Sequence, residues 1–335
     1  MDPIAWLRAE IFSFGTLADA MIWLSILLFL TASLLEWRAY RTDGSLQPAR
    51  YTAVAAFVVF GLFWFNVFPY FAFEHQSYVE GILSLVALPL CLYTAKLLYE
   101  GRNTLFILSR AIGVMGLLYL PFETIPAMTI AGIHIPEPRR ILIEFVADIT
   151  AVIISAMGYE YVFTESIEGY DAAFLWTLED GHQYRVSVIL ACTGIGSMAI
   201  FGGLIAAVKA PLKRKLSAIA LSFSIIFVLN IIRMVFITVV TGNQYMHWAP
   251  DLVLFLFGAD NPYRVSFLVS DRIISQFGAV IALMVIAYLV VRVLPELLVV
   301  LEDLLYLLTG EEHNLEEALN LPRTAVGEDP ALRSD

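Results

Sequence analysis

The sequence predicts an all-α, polytopic membrane protein of about eight transmembrane helices with one small extracytoplasmic β-hairpin. Three observations predict it. The 335-residue chain is 59% hydrophobic and only 15% charged, whereas soluble domains average about 45–50% apolar residues. Apolar runs close to the ~20 residues needed to cross about 30 Å of hydrocarbon recur along it. The stretch "FLWTLEDGHQYRVSVIL", residues 174–190, carries alternating aromatic and polar positions on either side of an Asp-Gly dipeptide, a strong short-range hairpin signal.

Seven runs are read at 17–36, 51–69, 81–98, 104–122, 190–208, 216–240 and 273–293. An eighth, 141–157, is interrupted by Glu144 and Asp148. No basic segment and small-residue cleavage pattern frame the first run, so it reads as a span rather than a signal peptide. "HWAPDLVLFLFG", residues 247–258, is too short to span and reads as interfacial or re-entrant. Residues 1–308 form the polytopic domain, with a catalytic half at about 160–295, and 309–335 an acidic, disordered cytoplasmic tail.

Charge placement orients the chain. "KAPLKRK", Lys209 to Lys215, is the strongest basic cluster and belongs in the cytoplasm. The acidic loop at about 158–188 then lies outside, and its second strand leads into Cys192. Arg38, Arg41 and Arg50 favour a cytoplasmic first loop, which conflicts with that assignment if 141–157 spans. Eight spans with both termini cytoplasmic is the expected topology; seven with a re-entrant 141–157 is the alternative. Net charge is −11 and only four of the 20 basic residues are lysine, a balance that suits solvent of very high salt, where self-repulsion is screened.

The chemistry concentrates in three stretches. In "ILACTGIGS" Cys192 stands where a helix is expected to begin at Cys192 or Thr193, so that unpaired N–H groups and the helix dipole favour a thiolate. Gly194, Gly196 and Ser197 permit close approach of a backbone or a substrate. A buried, inert cysteine beside a helix contact remains the alternative, and Cys91, inside an apolar run, reads as packing only. "LNIIRMVFI" places Asn230 and Arg233 among aliphatic residues with no acid in that segment, and an intramembrane arginine marks a functional site by default. "SDRIISQFG" puts Asp271 and Arg272 at the start of the last span; an interfacial arginine paired with Asp271 is the plainer reading. By topology, Cys192, Arg233 and Arg272 fall in one outer layer of the membrane.

These motifs, ordered and separated by 41 and 39 positions, resemble the exosortase and archaeosortase superfamily, in its haloarchaeal archaeosortase A branch. The resemblance implies a cysteine transpeptidase acting at the outer face of the cell membrane. Its substrates would be secreted and surface-layer proteins ending in a Pro-Gly-Phe-type motif, an apolar helix and a basic cluster, and a membrane lipid would be the acceptor. Cys192 would be the nucleophile, and Arg233 and Arg272 the conserved-type arginines of the branch, where bacterial exosortases carry histidine at the third position. Arg233 with N–H groups near Thr193 would stabilise the oxyanion. Neither arginine is a plausible base. Proton-transfer candidates are His182, His247 and Asp271, and none is singled out.

Glu123, Glu144 and Asp148 read as cavity-lining or as packing partners of arginines such as Arg110 and Arg139. No internal repeat suggests a transporter, no HExxH spacing suggests a metalloprotease, and a non-catalytic scaffold leaves Arg233 without a partner acid. No cofactor, metal or nucleic-acid motif is visible.

Overall fold

The computed structural model describes residues 17–74, 78–130, 133–178, 180–312 and 314–316. All eight predicted runs are helical: α1 (Leu17–Thr42), α2 (Gln47–Pro69), α3 (Tyr78–Glu100), α4 (Phe106–Thr124), α5 (Pro138–Ala156), α6 (Ile195–Ala207), α7 (Leu212–Gly242) and α9 (Gln276–Val293). The short α8 (Pro250–Phe257) precedes α9, and α10 (Leu298–Thr309) follows it. Six helical stretches among the described residues are long and apolar enough to cross a membrane. Large apolar side chains such as Leu27, Leu34, Phe65, Ile82 and Phe277 are exposed along them, a surface that only lipid or protein can cover. The chain is a mostly helical, multi-pass membrane protein. The expected tail from 317 onward lies outside the described residues.

The chain divides into two compact units: residues 1–118, 199–218 and 291–335, and residues 119–198 and 219–290. In the first, α1, α2 and α3 pack as consecutive helices. Phe29 is fully buried, edge-on to Phe57 at 4.8 Å between ring centroids. Small residues bring backbones together. A Cβ at Gly203 would collide with the Ala111 carbonyl, and one at Gly61 would stand 3.0 Å from the Cβ of buried Cys91. Charges in this unit are paired: Arg110 with Glu36 at 3.4 Å, Arg102 with Asp303 at 3.3 Å, and Arg214 with Glu296. Arg110 thus serves Glu36, not the acids of the fifth helix.

The second unit is built on a sheet the sequence only half discloses. The predicted hairpin is present as β4 (Asp171–Thr177) and β5 (Gln183–Ser187), with Phe174 opposite Val186 and Trp176 opposite Tyr184. Its turn spans residues 178–182 and closes with the Gly181 N–H donating to the Leu178 carbonyl (2.9 Å), Gly181 being left-handed at φ 79°. Glu179 lies outside the described residues. A third strand, β3 (Val162–Glu165), pairs with β4, and β1 (Met128–Ile130) pairs with β2 (Ile133–Ile135). These strands were missed because each is only three or four residues long, too short for a period-2 signal.

One apolar core joins this sheet to two helices. Ile143, Val146, Ala147 and Ile154 of α5, Phe174 and Trp176 of β4, and Met234 and Val235 of α7 are buried in one cluster. The α5 residues recur at helical spacing, so one face is apolar, while Arg140 and Glu144 pair at i,i+4 (2.8 Å). Arg139 pairs with Glu168 (2.9 Å) and Glu123 accepts from Tyr119 (3.1 Å). Glu123 and Glu144 are therefore structural partners. The eight residues of α8 rise only about 12 Å, too short to cross, and only Val253 among them is buried.

Trp176 meets α7 at its last residue, where a Cβ on Gly242 would run into the indole. Gly242→Ala should therefore destabilise this unit by about 1–3 kcal/mol, the cost of overpacking a filled site. A lower apparent melting temperature of the detergent-solubilised protein checks this; an unchanged one refutes the contact.

Candidate active site

The sheet delivers Cys192. Beyond β5 the ladder continues with the Val188 N–H donating to the Ala172 carbonyl (2.8 Å), and buried Leu190 anchors the following turn. Cys192 lies in a 3-10 turn, Leu190–Thr193, with its N–H donating to the Ile189 carbonyl at 2.8 Å. The expected helix start at Cys192 or Thr193 is corrected: α6 begins at Ile195, after Gly194 reverses the chain at φ 80°. The thiol therefore precedes the helix rather than capping it, and the charges around it come from side chains. Thr193 is buried, its hydroxyl donating to the Leu190 carbonyl (2.7 Å).

Asn230 of α7 binds the turn from the other side. Its Nδ2 donates to the Cys192 carbonyl at 2.5 Å, and the side chain is 8% exposed. A Cβ at Gly194 would stand 3.4 Å from the Asn230 side chain, so glycine there satisfies both the left-handed backbone and the close approach. Gly196 has open space where a Cβ would be, which fits accessibility rather than the helix contact considered from the sequence.

One turn after Asn230, Arg233 meets an acid from a different helix. Its Nη2 donates to Asp271 Oδ1 at 2.6 Å, while Arg272 Nε lies 3.7 Å from Asp271 Oδ2. The scaffold reading loses its objection at this point, because Arg233 does have a partner acid. Arg233 Nε is buried and, among the described residues, has no hydrogen-bond partner. The electrostatic neighbours of Cys192 are Arg233, Asp271 and Arg272.

Asp271 and Arg272 sit in an eight-residue π-helical stretch, Leu268–Ser275, between Val265–Phe267 and α9. Such wide turns inside helices are frequent at functional sites. Its side-chain periodicity differs from that of an α-helix, so helical-wheel reading gives no sign of it.

Among the described residues, His182 and His247 form no hydrogen bond or ion pair with Cys192, Arg233, Asp271 or Arg272. His182 stacks on Tyr263, with ring centroids 3.7 Å apart and 7° between planes. The Tyr263 hydroxyl donates to Asp180 Oδ2 (2.5 Å) and the His182 N–H to Oδ1 (2.9 Å), which together hold the Asp180 carboxyl below its ordinary 3.8. That clasp favours the ionised carboxylate, so it is present at neutral pH and is lost as pH falls through the lowered value. His247 is exposed and, among the described residues, is joined to none of the others by hydrogen bond or ion pair. Tyr263 was not singled out from sequence; the Asn-Pro turn signal before it, realised as Asn261 Oδ1 accepting from the Tyr263 N–H (3.0 Å), was its one trace.

The model for the family described as transmembrane exosortase matches residues 14–263, which include Cys192 and Arg233. The chain belongs to the transmembrane exosortase family. A protein named Archaeosortase A from Haloferax volcanii is 48% identical over 307 residues, covering 92% of this chain and 99% of that protein. Archaeosortase A from Natronomonas pharaonis is 42% identical over 293 residues, covering 86% and 88%. No solved structure matches. Within this exosortase-family chain, Asn230, Arg233, Asp271 and Arg272 belong to the same compact unit as the cysteine turn.

Asn230→Ala leaves the Cys192 carbonyl without its side-chain donor, a loss of about 1–3 kcal/mol for a buried group. Hydrogen exchange at residues 190–194 should speed up and the melting temperature should fall. Unchanged exchange would mean that Asn230 does not hold the turn.

Proposed function

We propose that this exosortase-family protein is a membrane cysteine transpeptidase. It would remove the C-terminal sorting signal of secreted or surface proteins, a Pro-Gly-Phe-type motif followed by an apolar helix and a basic cluster, and join the new C-terminus to a membrane lipid. The observation that carries this reading is that α7 holds the Cys192 carbonyl through Asn230 (2.5 Å) and, one turn on, presents Arg233, which is paired with Asp271 beside Arg272. The near-full-length similarity to two proteins named Archaeosortase A supports it. The site is assigned to the extracytoplasmic face of the cell membrane, where a substrate anchored by its own tail helix presents its scissile bond.

In this mechanism Cys192 gives up its thiol proton and its Sγ bonds to the scissile carbonyl carbon, moving the carbonyl π electrons onto oxygen. The buried, unpartnered Nε of Arg233 is a donor for that oxyanion. Collapse breaks the C–N bond, and the departing amine takes the proton that the thiol released. A lipid amine or water then adds to the thioester carbonyl and expels the Cys192 thiolate, which takes up the proton the nucleophile gives up and becomes the thiol again. Arg272 assists in holding the substrate carbonyl. His182 and His247 are given no step.

Cells carrying Cys192→Ala in place of the native chain should lose processing of a Pro-Gly-Phe-tailed reporter entirely. Arg233→Ala should lower it by about 10²–10³-fold, as for loss of an oxyanion donor. Gel shift and the mass of the reporter's new C-terminus measure both, and that mass names the acceptor. Continued processing in Cys192→Ala rejects the transpeptidase reading in favour of a transporter or scaffold.

A further inference from the structure

Arg233 stands one turn from Asn230, whose side chain holds the Cys192 carbonyl at 2.5 Å, and among the described residues Asp271 is the acid paired with Arg233. Its two carboxylate oxygens face different arginines: Oδ1 takes Arg233 Nη2 at 2.6 Å, and Oδ2 lies 3.7 Å from Arg272 Nε. The Asp271 side chain is 15% exposed, against 28% for Arg233 and 41% for Arg272, so the least solvated of the three charges is the shared one. Commitment of Arg233 Nη2 to this carboxylate fixes the guanidinium plane, because a planar fork held at one corner has few remaining orientations. The Nε donor left over is buried and unpartnered.

We propose that Asp271 is a positioning residue for the transpeptidation chemistry: one carboxylate that clamps Arg233 and Arg272 as a pair and so aims the free donor at the oxyanion formed at Cys192. The clamp rests on the transpeptidase reading for its consequence in catalysis, but its effect on the thiol does not. Asp271 does two opposed things by charge alone. It orders two cations that stabilise the transition state, and it places a negative charge near a sulfur that must itself become negative. Two arginines and one aspartate leave a net single positive charge beside Cys192. Neutralising Asp271 therefore separates the two effects: the thiolate becomes easier to form while the oxyanion loses its aimed donors. A merely structural aspartate has no reason to move those quantities in opposite directions.

The test uses the full-length protein in its membrane, with Cys91→Ala in every variant so that Cys192 is the only thiol. Asp271→Asn keeps the shape and removes the charge; Asp271→Glu keeps the charge. Reporter processing and the rate of Cys192 alkylation by iodoacetamide at fixed neutral pH are measured for each. Asp271→Asn should lower processing by about 10²-fold, the scale of a lost oxyanion donor, while alkylation becomes several-fold faster. Asp271→Glu should return processing to within about tenfold of the parent protein, on the reasoning that restored charge re-forms most of the clamp. Parent-like processing by Asp271→Asn overturns the proposal, as does a joint fall in processing and alkylation that Asp271→Glu does not relieve. Cys192→Ala is run alongside: if it still processes the reporter, the transpeptidase reading fails, and the alkylation rates alone then decide whether Asp271 acts on the thiol.

Discussion

A guanidinium held among apolar helices must be paired, and the organisation of the second compact unit follows from how Arg233 meets that demand. Its carboxylate comes from Asp271, 38 residues on, so the pair links α7 to the helical segment ahead of α9. Removing one partner of this half-buried pair leaves a charge uncompensated among apolar helices. The ion pair therefore constrains where the two helical segments lie at that level. Arg272 joins because it is the residue next to Asp271 on a π-helical stretch. The same α7 surface carries Asn230 one turn earlier, and Asn230 holds the carbonyl of Cys192. Two polar side chains of one helix thus tie together the acid, the arginines and the thiol.

The three-stranded sheet supplies the other half of the constraint. A cysteine on a free loop would have no defined place relative to α7. Here the loop is short and its approach is fixed: β5 pairs with β4, the ladder continues through Val188, and Leu190 is buried in the core shared with α5 and α7. The turn between β4 and β5 is fastened in addition by Tyr263, which stacks on His182 and donates to Asp180. Small residues make these approaches possible. Gly194 admits Asn230 and a left-handed backbone, and Gly242 admits Trp176. The site is consequently assembled where the sheet and its turn pack against long apolar helices, while the thiol and its arginines remain partly accessible.

Much of this was legible in the amino-acid order. The eight apolar runs became helices because length and hydropathy are local properties, and no partner is needed to read them. The Asp-Gly hairpin was legible for the same reason. Arg233 and Asn230 stood out because polar groups in an aliphatic segment are costly wherever the segment lies, Cys192 through the helix start expected beside it, and Arg272 through its place at the start of the last span. The strands β1, β2 and β3 were not legible, since pairs this short are made by their partners rather than by their own pattern.

By itself, then, the sequence determined the membrane class, the helices, the hairpin and the identity of the unusual polar residues. Tertiary structure alone decided the relations between them. It gave Arg233 its partner, because pairing across 38 positions leaves no periodic trace. It moved Cys192 ahead of α6 into its own turn, because the left-handed Gly194 and the Asn230 contact override the helix start that local residues suggest. It set His182 against Tyr263, and it placed Asp271 between two arginines through a π-helical turn that an α-helical wheel does not contain. Long-range contacts choose among conformations that are locally near-equal in free energy, and that choice is invisible until the chain is folded.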